Sequence, residues 1–96
     1  MKLVHDVQIE KNMVITTTLS VENGWLRMDH VSVGAYVGGS SLRLSHIVRV
    51  EKQQQVWDGK TYFWITLIDR DLTKTVLPFA LAGEEVTQLD DALIAS

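Results

Sequence analysis

The sequence predicts a mainly β chain, an antiparallel bent sheet or small barrel capped by one C-terminal α-helix. Three observations predict it. Apolar residues recur at every second position in successive runs from Leu3 to Leu81, the period of half-buried strands. Asn23-Gly24 between two such runs marks a tight antiparallel return, because both residues adopt positive φ at little cost. Only the last segment, about Glu84 to Ile94, changes to helical spacing, with Val86, Leu89 and Leu93 on one side.

The first strand spans Lys2 to Glu10, with Leu3, Val7 and Ile9 on one face, His5 among them, and Asp6, Gln8 and Glu10 on the other. Lys11 and Asn12 punctuate. Met13, Ile15, Thr17, Leu19 and Val21 form one face of a second strand whose other face is largely Thr and Ser. After Asn23-Gly24 the chain returns from Trp25 to Asp29 or His30. Val31, Val33, Ala35 and Val37 alternate as a further strand, in which Gly34 marks a bend or bulge. Gly38-Gly39-Ser40-Ser41 reads as a turn. Leu42 and Leu44 open a short strand or bend, and a strand follows from Ile47 to Glu51.

Gln53-Gln54-Gln55 has no apolar period and, with Asp58-Gly59-Lys60, is expected to be the most exposed connection. The next strand is apolar on both faces, Phe63, Ile65 and Leu67 against Tyr62, Trp64, Thr66 and Ile68, which suits a central strand or a partner surface. Asp69 to Lys74 supplies a polar hairpin. Thr75 to Leu81 follows as a strand placed at an edge, or bulged, by Pro78, which has no N–H for a ladder. The helix then begins at a weak cap, Ala82 or Gly83, with Glu84 and Glu85 in a first turn where the helix dipole favours carboxylates.

Ninety-six residues make one domain over 1–96, large enough for a single core. The chain lacks cysteine, which excludes disulfides, thiolate metal sites and cysteine nucleophiles and fits a reducing, cytoplasmic setting. No signal peptide or membrane span is expected from the start of the sequence or its apolar runs. A formal charge of -3 with scattered Lys and Arg argues against nucleic acid and against an anionic membrane surface. A protein or small-molecule partner is left by elimination.

The run Ser41-Leu42-Arg43-Leu44-Ser45-His46-Ile47-Val48-Arg49-Val50-Glu51 resembles the segment of small bacterial PH-like domains in which a short strand ends in a polar residue and re-enters as I-x-x-V. Trp64-Ile65-Thr66-Leu67-Ile68, a polar turn, Val76-Leu77-Pro78-Phe79 and the helix with Val86, Leu89 and Leu93 resemble that family's last hairpin and capping helix. The match covers about the C-terminal half and rests on hydrophobic pattern. It implies a PH-like barrel serving as a binding module. The chain departs from the family in an extra N-terminal strand. It also lacks the basic cluster used by phosphoinositide-binding members in their first hairpin loop, here Glu22-Asn23-Gly24, which counts against a lipid headgroup.

The residues carry no catalytic or cofactor signature, so a non-enzymatic module is expected, with no metal. His5, His30 and His46 have no short-range partners for a zinc or nickel site, and surface or structural roles account for them better. Asp29-His30 with Ser40, Ser41 or Ser45 lacks a nucleophile elbow. Asp58, Asp69, Asp71, Glu84 and Glu85 read as turn and helix-start residues rather than a calcium loop. Five aromatic residues are the candidates for partner binding: Trp57, Tyr62, Trp64, Trp25 and Tyr36. The expected partner is another protein or a second copy, a homodimer, covering the face around Trp57, Tyr62 and Trp64. A second reading places a small ligand or lipid headgroup in the barrel mouth near Arg27, His30, Arg43 and Arg49. A third is an enzyme of unrecognised type using the histidines and Asp29.

Overall fold

The computed structural model describes residues 1–33 and 35–95. Strands β1 (Lys2–Glu10), β2 (Met13–Glu22), β3 (Trp25–Ser32) and β4 (Ala35–Arg43) form an antiparallel sheet in sequence order. A single 3-10 turn, Leu44–His46, leads to the second sheet of β5 (Ile47–Trp57), β6 (Lys60–Asp69) and β7 (Lys74–Val76), with β8 (Leu81–Ala82) also paired to β6. Helix α1 (Gly83–Ala95) ends the described chain. The two sheets are not hydrogen-bonded into one closed barrel, so the bent-sheet form of the expectation is the one adopted.

Two hairpin turns set most of the register. Asn23 and Gly24 take φ of 52° and 80°, and Asp58 and Gly59 take 51° and 72°, the left-handed pair that matches the twist of adjoining strands. Glu22 therefore faces Trp25, and Trp57 faces Lys60.

Several sequence expectations are corrected. The third strand does not stop at His30 but continues to Ser32, and the chain turns at Val33, which is 96% exposed with φ of 51°. The bend expected at Gly34 lies outside the described residues. Gly38-Gly39-Ser40-Ser41 is strand rather than turn: these residues pair with Met28 to His30 and Arg27, whose ladder supplies the hydrogen bonds that local propensity does not. The glutamine run belongs to β5, carried by pairing with Tyr62, Phe63 and Trp64 of β6. Thr75 to Leu81 is not one strand. It divides around Pro78, with Leu77 donating its N–H to the Ile65 carbonyl at 3.0 Å before the ladder lapses.

The core lies between the inner faces of both sheets and the helix. Leu3, Leu19, Val21, Leu26 and Met28 come from the first sheet, Ile65 and Leu67 from β6, and Val86 and Leu89 from α1. Leu77, Phe79 and Leu81 still reach this core on alternate residues, although regular pairing fails between them. The helix start is completed by Glu85, whose Oε1 accepts the Ala82 N–H at 3.1 Å. This is the return half of a capping box, so the weak cap residue is supported from inside the helix. Glu85 Oε2 accepts a hydrogen bond from His5 Nε2 at 2.6 Å, and the His5 ring stacks on Phe79 at 4.2 Å between centroids. The first strand and the last helix are thereby joined.

Candidate functional site

The Asp58-Gly59 turn fixes which residues of β5 and β6 share a face. Phe63, Ile65 and Leu67 pair with Gln54, Lys52 and Val50 and turn toward the core, where Ile65 and Leu67 are fully buried and Lys52 Nζ reaches Asp90 of α1 at 2.6 Å. The alternate residues, Tyr62 and Trp64 with Gln55 and Gln53, point away from it. The N-terminal strands leave this face partly open, with His5 of β1 at its border. Tyr62 and Trp64 stay half-buried, and Trp57 at the end of β5 is 68% exposed.

Trp57, Tyr62 and Trp64 are brought together. With His5, Gln55 and Ala80 they line an open groove of about 520 Å³. The Trp64 indole N–H donates to Gln55 Oε1 at 2.6 Å, which holds the larger ring against the strand. A second groove, also about 520 Å³, adjoins it through the same Gln55 and Trp64 and continues past Gln53, Glu51 and Thr66 to Val76. The two together form a track along the strands, aromatic at the hairpin end and polar at the other.

Trp25 and Tyr36 lie elsewhere. Trp25, 41% exposed, sits beneath the Arg43 guanidinium, whose carbon is 4.8 Å from the ring centroid. Tyr36 crosses Gly39 on the outer face of the first sheet, with its hydroxyl toward Asp29. Arg27 Nε donates to both Asp29 oxygens, at 3.1 and 2.9 Å. That hydrogen bond holds the Asp29 carboxyl below its ordinary value and raises Arg27 above its own, with Tyr36 adding a smaller contribution in the same direction.

The sign of the Asp29 shift makes a prediction. The folded pKa lies below the ordinary 3.8, so the pair stabilises the fold above that pH and its contribution disappears as pH falls through the folded value. The pair is solvent-exposed, so the effect is small. Denaturant midpoints of the parent and Asp29→Asn, followed from about pH 6 to about pH 2.5, should converge at the acid end. Parallel curves would remove the pair from the stability balance.

Arg27, His30, Arg43 and Arg49 do not converge. Arg27 is committed to Asp29 on the outer face, and Arg43 covers Trp25. His30, one residue on from Asp29, points to the opposite side, where its Nδ1 is 2.9 Å from Thr17 Oγ1. Arg49 lies in the other sheet, 3.6 Å from Glu51. Strand alternation thus turns His30 away from Arg27 and Arg43, which share the outer face of the first sheet, and it also directs Asp29 and His30 away from each other. His5, Thr17 and His30 form one cross-strand row, while His46 lies in the 3-10 turn. Among the described residues no three His, Asp or Glu side chains form a metal-binding group.

His30 instead lines a separate groove of about 390 Å³ with Val7, Ile9, Ile15, Val37 and Pro78. His5, Gln55 and Ala80 line the aromatic groove without having been among its sequence candidates. Gln55 had a signal: a two-residue turn at Asp58-Gly59 places it opposite Tyr62 and diagonal to Trp64. His5 had none, because its approach depends on how the two sheets meet.

Among the described residues no helix is long and apolar enough to cross a membrane. Comparison with protein-family models, with curated proteins and with solved structures finds no match to this chain.

Proposed function

We propose that this chain is a PH-like, non-enzymatic interaction module that binds a protein partner along the outer face of β5 and β6. The observation that carries the reading is the pair of grooves meeting at the Trp64–Gln55 hydrogen bond, with Trp57 largely exposed beside them. Three aromatic side chains on one open strand face have the composition of a binding hot spot. The elongated, shallow shape suits an extended polypeptide better than an enclosed small molecule. The charge of -3 and the lack of a basic cluster favour a protein over a lipid or nucleic acid. The PH-like part of the reading rests on the residue pattern of the C-terminal half, Ser41 to Glu51, Trp64 to Ile68 and the helix with Val86, Leu89 and Leu93.

Selection of extended peptides from a displayed library, followed by titration, tests this. Trp57→Ala is expected to weaken the selected peptides by roughly thirtyfold or more, the effect of losing a hot-spot side chain of at least about 2 kcal/mol. Trp57 contributes little to the core, so the variant should keep its thermal stability. Equal binding by parent and variant, or selected peptides that map to the first sheet, would overturn the proposal.

A further inference from the structure

Strand β5 leaves one edge unpaired along its length. It bonds to β6 on one side, and no described strand pairs with the other. Most edges of the molecule are guarded in the ways that limit strand addition: β1 carries Lys2, Asp6 and Glu10, and β7 is short and runs into Pro78. From Gln53 to Trp57 β5 has no charge, no proline and no bulge, and it exposes Val56 at 64% and Trp57 at 68%. Its one nearby lysine, Lys52, is engaged with Asp90 on the inner side.

The sequence of β5 restricts how this edge can pair with itself. Antiparallel pairing about a two-fold axis joins residues of equal parity, so the axis must pass through one residue that faces its own copy. An axis at Glu51 or Lys52 sets like charges opposite each other, which is destabilising. An axis at Gln54 leaves Glu51 opposite Trp57. An axis at Gln53 sets Arg49 opposite Trp57, Val50 opposite Val56, Glu51 opposite Gln55 and Lys52 opposite Gln54. No like charges meet, a guanidinium meets an indole on the outer face, two valines meet on the inner face, and the central glutamines can exchange amide hydrogen bonds.

We infer that the partner is a second copy of this chain, joined by antiparallel β5–β5 pairing centred on Gln53. This inference rests on the reading of the outer β5–β6 face as an interaction surface. The pairing continues the second sheet across two copies and brings Arg49 of each against Trp57 of the other, so the two aromatic grooves become neighbours.

A charge exchange at the axis tests the register. Gln53 is exposed, so at concentrations where the parent is monomeric Gln53→Lys and Gln53→Glu should melt at the parent temperature. Each alone places like charges on the axis and should weaken dimerisation in sedimentation experiments by roughly tenfold or more. An equimolar mixture should recover a heterodimer at least as tight as the parent. A parent that stays monomeric at millimolar concentration would overturn the inference, as would variants that dimerise separately as well as together. In either case the groove reading is judged apart from it: selected peptides that still need Trp57 would leave that reading standing, whereas loss of both results would remove the two together.

Discussion

Replacing Leu89 by alanine is expected to lower the unfolding free energy by about 2–5 kcal/mol, the range for removing a buried leucine side chain and leaving a cavity. Leu89 is fully buried on the face of α1 that meets residues of both sheets. Against a total of about 5–15 kcal/mol for a domain, the loss is a large share. Urea unfolding of the parent, Leu89→Ala and Leu93→Ala measures it. Leu93 is only partly buried, and its variant should lose clearly less. Equal losses at both positions would mean that the helix does not dock by the Val86 and Leu89 stripe.

Gly39→Ala is expected to cost about 1–3 kcal/mol, the usual consequence of forcing an extra group into filled space. A Cβ at Gly39 would lie 2.8 Å from the Met28 carbonyl oxygen, 2.8 Å from an Asp29 carboxylate oxygen and against the Tyr36 hydroxyl. Two of these neighbours are side chains that can turn aside. The Met28 carbonyl belongs to the β3 backbone and cannot, so β3 and β4 must separate, and Tyr36 must also leave the position in which it supports Asp29. Gly38 provides the internal comparison, because an added Cβ there meets nothing within 4 Å. Gly38→Ala should change stability by no more than about 0.5 kcal/mol. Two similar denaturation curves would show that the crowding at Gly39 is relieved without cost.

The parts of the fold that were legible in the sequence are those governed by neighbours along the chain. Alternation in β1, β2 and β6, the Asn23-Gly24 return and the stripe of Val86 and Leu89 each depend on local geometry. The errors share another cause. Gly38 to Ser41 and Gln53 to Gln55 have poor intrinsic strand propensity, and each is held as strand by a ladder to a more apolar neighbour, β3 in one case and β6 in the other. Pro78 acted in the opposite sense: the alternation of Leu77, Phe79 and Leu81 correctly placed three core residues but concealed the break in pairing between them.

The candidate site divides along the same line. Tyr62 and Trp64 were separable from Phe63 and Ile65 by parity alone, and Trp57 joins them because the hairpin returns it to the same face. Trp25 and Tyr36 could not be told apart from this group by residue type. Their positions depend on Arg43 and on Gly39, contacts made across strands. The separation of His30 from Arg27 and Arg43 follows from parity within β3, and that of Arg49 from its place in the second sheet.

The central claim is that one face of β6 is core while the opposite face, with Trp57, is where a partner docks. The chain contains three tryptophans, Trp25, Trp57 and Trp64, which makes fluorine NMR of fluorotryptophan-labelled protein a direct measurement. On addition of a selected peptide, the account predicts that the Trp57 and Trp64 resonances move while Trp25, held under Arg43 in the first sheet, stays in place. Movement of Trp25 with Trp57 and Trp64 unchanged would contradict it.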